Sequence, residues 1–526
     1  MKKRFIYIAL CAVVSFSFSS CKKYLDELPD NRAELNNTDK ISRLLVSAYP
    51  TNAYVVTTEL ASDNVDDYGP NYTSNRQTEQ MYGWEDITET AGNDGVEKIW
   101  SSCYSAIASA NQALTAIEEL GNPSSLTAAK GEALVARAYG HFILVNVFAQ
   151  HYSPANSATD LGITYMTKSE DKLNPKYTRN TVKEVYDYIL QDLEAGIPLI
   201  NDASYANANV AKFHFNKSAA NAFAARVHLY MGNWTKAVEY ASASFANTPT
   251  TYVRDYAKIA TYAASFSDMA REYNNSLIKA NFLITPAYST MGTLFGGYTT
   301  LSRFVPGLAV SNYETITSKG PFGTFTTTGY RLKAFSYSTS SNKVLFAHLS
   351  YQFEYTDPVA RTGYAHGVFT PFTFEEALLT RAEANIQLKN YTAALADMQY
   401  WGTFTYTTTT LPTLTEANIN TWANSFAYFT PTAPTPKKKL NPEFTIEAGT
   451  QENMLHAVLY MRRLETYSAG LRWFDVKRYG IEITRRSTTG AVINSVSTNT
   501  LTVRDQRRAI QLPQDVIAAG LTPNPR

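Results

Sequence analysis

From about residue 97 to 245, apolar residues recur at the three- and four-residue spacing of helices that bury one face. In 97–120 the stripe runs Trp100, Cys103, Tyr104, Ile107, Asn111, Leu114 and Ile117, and Gly121-Asn122-Pro123 predicts its end. Residues 124–149 predict a second helix, whose near-continuous Phe142-Ile143-Leu144-Val145 reads as deeply buried. Thr181 and Glu184 form a capping-box pattern that opens a third. Its buried face is Val182, Val185, Ile189, Leu193 and Ile197, and Pro198 closes it.

Two later stretches repeat one junction. Leu229-Tyr230-Met231-Gly232-Asn233-Trp234-Thr235-Lys236-Ala237 and Ile386-Gln387-Leu388-Lys389-Asn390-Tyr391-Thr392-Ala393-Ala394 each place an aromatic, then an alanine three residues on, just after a short turn. That is the tetratricopeptide-like junction, in which the aromatic wedges between paired helices and the alanine allows their close approach. Thr373 and Glu376 predict a capping box before the second pair. The two pairs are not in tandem. Between them lies 246–372, rich in Ser, Thr, Tyr and Gly, and a second loop-rich insert covers about 401–448. The expected class is mostly α: a helix-pair scaffold carrying irregular, aromatic-rich excursions, where function tends to sit.

The N-terminus adds a compartment. Lys2, Lys3 and Arg4 precede an apolar run from Phe5 to about Phe18, too short to span a bilayer and suited to a secretory signal. Phe18-Ser19-Ser20-Cys21 resembles a bacterial lipobox, with cleavage before Cys21 and acylation of that cysteine; Phe18 stands where leucine is usual. The expected units are therefore a signal at 1–20, an anchored segment and first helix at 21–50, helical scaffold with early binding-face loops at 51–245, the insert at 246–372, and continuing scaffold at 373–526. Loss of the signal leaves Cys103 as the one unmodified thiol, read as a small core residue, so no disulfide is expected.

Composition excludes some partners. The chain has 526 residues with 47 Lys+Arg against 46 Asp+Glu, so no basic excess points to nucleic acid. Tyr (36), Phe (26) and Trp (6) are abundant, which favours large contact surfaces. No catalytic constellation is legible. The seven histidines (His141, His151, His214, His228, His348, His366, His456) show no HExxH and no metal-ligand spacing, and His141 and His228 read as core residues. Neither Gly-x-Ser-x-Gly nor a phosphate-binding glycine loop occurs, and Asp66-Asp67, Glu118-Glu119 and Glu375-Glu376 are adjacent in sequence, unlike a glycosidase's separated carboxylates. Glu375 and Glu376 suit a helix N-terminus. No enzyme, metal or cofactor is expected. Arg472, Asp475 and Arg478 share a helical face and predict ion pairs in a buried network; Lys437-Lys438-Lys439 reads as a solvated loop.

Several segments together resemble the SusD/RagB family of outer-membrane nutrient-binding lipoproteins. Arg463-Leu464-Glu465 with Gly470-Leu471-Arg472-Trp473-Phe474-Asp475-Val476-Lys477-Arg478, the helix Arg381-Ala382-Glu383-Ala384, and the ending Asp505, Arg508-Ala509-Ile510-Gln511-Leu512-Pro513 and Asn524-Pro525 carry the resemblance, as does Leu25-Asp26…Pro29. Met461 and Ala469 depart from the family's usual glutamates. The resemblance implies a SusD-like fold, a lipid-anchored lid on a TonB-dependent SusC-like barrel, and capture of a glycan, or in the RagB branch a peptide, without hydrolysis. A protein-interaction scaffold built on the same repeats, and more remotely a surface hydrolase, are the readings from other classes.

For a sugar, the chemistry needed is an aromatic platform flanked by hydrogen-bonding side chains. Asp66, Tyr68, Tyr72, Tyr82 and Trp84, on what reads as loop, offer that mixture, and the central insert adds Tyr298 beside Gly296-Gly297. If so, removing Trp84 or Tyr68 weakens binding without lowering thermal stability.

Overall fold

The computed structural model describes residues 35, 37–90, 92–170, 175–246, 248–337 and 342–526. The signal segment, Cys21 and the Leu25–Pro29 stretch lie outside the described residues.

The fold is mostly α. After a short helix Thr38–Leu44, the site-bearing N-terminal segment contains α1 (Val55–Ala61) and α2 (Arg76–Gly83). The scaffold follows as α3 (Val96–Glu119), α4 (Thr127–Phe148), α5 (Val182–Gly196), α6 (Lys217–Met231) and α7 (Trp234–Ser244). Each of α3, α4 and α5 packs on its sequence neighbour, α3 and α4 through a short connection and α4 and α5 across the long segment 149–181. The Thr181/Glu184 capping box is present in both directions. Cys103 is fully buried in the α3–α4 interface, and His141 is satisfied there, its Nδ1 2.8 Å from the Arg137 carbonyl and its Nε2 accepting from Met166 N at 2.9 Å.

Beyond the first insert come α8 (Leu308–Glu314, within the insert), α9 (Phe374–Gln387), α10 (Tyr391–Thr405), α11 (Glu416–Asn424), α12 (Thr450–Glu465) and α13 (Arg472–Arg478). Helix α7 packs against α9, so the two tetratricopeptide-like pairs are neighbours in space although the insert separates them in sequence. Both junctions turn through a left-handed residue, Gly232 (φ +78°) and Lys389 (φ +61°), and both alanines, Ala237 and Ala394, are fully buried. The insert is looped out of a continuous helical array.

The insert is not structureless. It carries short helices and a sheet of β2 (Asn281–Tyr288), β5 (Thr362–Thr373) and β4 (Gln352–Asp357), in that spatial order, with β3 (Phe304–Val305) between β2 and β4 in sequence. A second sheet joins distant parts of the chain. In it the C-terminal hairpin β6 (Ile483–Thr489) and β7 (Val492–Leu501) meets β1 (Asp66–Asp67), and β1 meets β3 of the insert. Asp67 pairs with Ser487 in parallel, and Asp66 with Val305 antiparallel. Among the described residues no helix is long and apolar enough to cross a membrane.

Candidate functional site

The sheet β7-β6-β1-β3 gathers the segment 59–84, the insert and the C-terminal hairpin. Beneath it lies a buried ion network. Glu314, at the end of α8, holds Lys438 Nζ at 2.7 Å, Arg463 at 3.0 Å and Arg486 at 2.7 Å. Asp63 accepts a bidentate pair from Arg472 (2.7 and 2.9 Å), and Asp66 takes Arg486 at 2.7 Å. These cations hold Asp63 well below the usual carboxylate range and Glu314 at about 2, outweighing the burial that opposes ionisation. For Asp66 burial dominates, and its carboxyl is raised despite Arg486. The cavity among these groups is about 20 Å³, room for a water and not for a sugar ring.

The family-like Arg462–Arg478 segment is thus structural, as its charge pattern suggested. Arg478 bonds Asp475 at 2.6 Å and Glu383 at 2.9 Å, whereas Arg472 turns to Asp63. Lys477 donates to the carbonyls of Asn146 and Ala149 (2.8 and 2.5 Å) and so caps the C-terminus of α4. Two charge readings are corrected. Lys437 and Lys438 are buried, because Lys438 is drawn to Glu314 and its ammonium sits over the Phe429 ring; Lys439 alone of the three is exposed. Glu375 and Glu376 do more than face a helix dipole: they pair with Arg254 and Arg226 in the core, and only the Thr373 half of the expected capping box forms.

Of the residues singled out for ligand contact, four are inside. Trp84 is 6% exposed, and its Nε1 donates to the Ala61 carbonyl at 2.8 Å. Tyr82 is stacked on Phe304 with centroids 4.3 Å apart. Between the Tyr82 and Trp84 rings, at 4.0 and 4.1 Å, lies the guanidinium of Arg485, which donates to the carbonyls of Leu60, Ala61, Ser62 and Tyr82. The two rings clamp a buried cation that closes the end of α1. Tyr68 is 6% exposed; its hydroxyl donates to Gly490 O and accepts from Leu308 N, and Gly307 leaves the room its ring needs. Asp66 is 2% exposed within the network. The sequence predicts loop here, but Asn75 and Thr78 form a capping box that starts α2, and helix formation turns Tyr82 inward. The expectation that loss of Trp84 or Tyr68 spares stability is therefore corrected: both side chains hold the fold.

What stays accessible is a smaller face. Thr73 N donates to Leu301 O (2.8 Å), Arg303 N to Thr73 O (2.9 Å) and Tyr68 N to Arg303 O (3.0 Å), so the early segment and the insert run side by side. Tyr72 is half-buried there, edge-on to Tyr68 at 5.6 Å. Beside it Asp67 receives a bidentate pair from Arg303 (2.7 and 2.9 Å), and Arg303 also reaches Glu79 at 3.2 Å. Asn71, Arg76 and Leu301 are exposed around them. Tyr298, half-buried three residues before Leu301, packs on Tyr351 at 5.4 Å. Arg303 and Glu79 were not read from the sequence; Arg303 lies 236 positions from Asp67, and no spacing rule connects them. Among the described residues no group of three His, Cys, Asp or Glu side chains could hold a metal.

The structure is a helical-repeat scaffold with a polar and aromatic face built partly by the insert. Residues 23–229 match the SusD-like family model described as "Starch-binding associating with outer membrane". A SusD superfamily structure from Bacteroides thetaiotaomicron is 17% identical, with 93% of this chain and 99% of that one covered at a TM-score of 0.63. A putative sugar binding protein from Bacteroides vulgatus (16% identity, 94% and 99% covered, TM-score 0.60) and a SusD-like carbohydrate binding protein from the same species (15%, 92% and 96%, 0.63) share the fold. No curated protein matches the chain. The chain is thus similar to the SusD-like family over residues 23–229 and shares the fold of these structures.

Proposed function

We propose that this protein is a glycan-binding lipoprotein of the outer membrane, anchored through Cys21, that captures an oligo- or polysaccharide and passes it intact to a TonB-dependent barrel. The observation that carries this reading is the overlap of the family match with the accessible face: the starch-binding family model covers 23–229, and that span contributes Asp67, Asn71, Tyr72 and Arg76. Tyr72 offers an aromatic edge, and Asp67, Asn71 and Arg303 offer acceptors and donors for sugar hydroxyls. A shallow, open face suits a long polymer, whose chain continues past the contact at both ends.

Affinity electrophoresis of residues 22–526 in gels containing soluble starch and other polysaccharides tests the reading. Retardation by one glycan, lost in Tyr72→Ala at unchanged melting temperature, is the expected result. Retardation by none, with binding to peptide digests instead, would overturn it in favour of peptide capture.

A further inference from the structure

The insert side of the proposed face, residues 296–303, is a loop with Gly296-Gly297 at its start and little apolar burial of its own. One buried side chain holds it. Lys343 is fully buried (0% exposed), and its Nζ donates to three main-chain carbonyls: Thr293 (3.3 Å), Gly296 (3.0 Å) and Thr299 (2.5 Å). No carboxylate pairs with it among the described residues, and burial pushes its amine down to about 7, so this ring of carbonyls is what favours the charged form. Its neighbours extend the hold. The Asn342 side-chain amide donates to Ser302 O, and Val344 N donates to Pro306 O at 2.8 Å. Residues 342–344 thus splint the insert chain from Thr293 to Pro306, and the carbonyl and amide of Leu301 and Arg303 that pair with Thr73 lie inside the splinted stretch.

We propose that Lys343 is the positioning residue of the glycan face: its buried ammonium folds the 293–299 backbone around itself and thereby sets Leu301 and Arg303 against Thr73 and Asp67. This rests on the glycan reading of the face for its purpose and on the carbonyl geometry alone for its mechanism. The requirement is for three donors at one point. An ammonium has three N–H groups for three carbonyls, whereas a neutral amine or an amide head has two, and a methionine has none. Each unmet buried carbonyl opens the loop to water.

The test is hydrogen–deuterium exchange of residues 22–526 at the amides of 296–303 and of Thr73, in the wild type and in Lys343→Met. The variant is expected to exchange roughly tenfold or more faster in those segments, the size set by losing hydrogen bonds to a buried charge, while α4 and α9 keep their protection. Equal exchange at 296–303 and Thr73 in the two proteins would overturn the proposal. If Lys343→Met does not fold, Lys343→Gln replaces it, with the same expected and contrary outcomes. Retardation in soluble-starch gels is the second readout. Local loosening in the variant together with no starch retardation of the wild type would uphold the clamp and remove starch as the ligand, so the two readings fail separately.

Discussion

Removing the charge of Glu314 perturbs the centre of the buried network with one atom exchanged. Glu314 is 1% exposed and touches Lys438, Arg463 and Arg486 within 3.0 Å, so Glu314→Gln leaves three buried cations short of their shared anion. Its carboxyl is held at about 2 against an ordinary 4.5. At about 1.4 kcal/mol per pKa unit, that difference contributes about 3 kcal/mol of stability at neutral pH. Breaking one partner out of a buried ion cluster costs about 3–5 kcal/mol by mutational experience, which agrees. Because the folded pKa is depressed, the contribution is fully present above about 4.5 and is lost as the pH falls through about 2. Urea denaturation followed by tryptophan fluorescence, at pH 7 and at steps down to pH 2, measures both effects. The variant should lose about 3–5 kcal/mol at pH 7, and the gap to wild type should narrow between pH 4.5 and 2. A loss below about 1 kcal/mol at pH 7, or a gap that does not narrow in acid, would refute the assignment of Glu314 as the hub.

Three other outcomes follow from side chains already placed. Trp84→Ala removes one wall of the Arg485 clamp and a buried hydrogen bond, and should lower stability by about 3–5 kcal/mol in the same urea assay. Ala237→Leu pushes methyl groups into the α6–α7 contact and should cost about 1–3 kcal/mol, with circular dichroism showing the helices retained. Cys103 is buried with its thiol pushed well up by desolvation, so Ellman's reagent should label it only in denaturant, never in the native protein at pH 8.

The scaffold was legible in the sequence because its signals are local. The Thr181/Glu184 box, the Gly121-Asn122-Pro123 stop and the two aromatic–alanine junctions act within a few residues of where they are written. The site was legible only in part. Aromatic and acidic residues in 63–84 mark a place where the chain meets the insert, but composition does not say which faces are covered. Tyr82 and Trp84 close on Arg485, a residue about 400 positions away, and Tyr68 bonds to Gly490. The same non-locality hid the burial of Lys438, whose partners Glu314 and Asp63 precede it by more than a hundred residues. Asn75–Thr78 could have been read as a helix start, since both side chains are capping types, and that one step would have turned Tyr82 inward.

On the proposed function, this protein binds a glycan and leaves it intact. Isothermal calorimetry of residues 22–526 with oligosaccharides from the retained polysaccharide, followed by sizing of the recovered sugar, tests it most directly. The expected result is saturable heat with one glycan class, oligosaccharide of unchanged length, and loss of the heat in Tyr72→Ala. Shortened product, or saturable binding of peptides with no heat from any glycan, would contradict it.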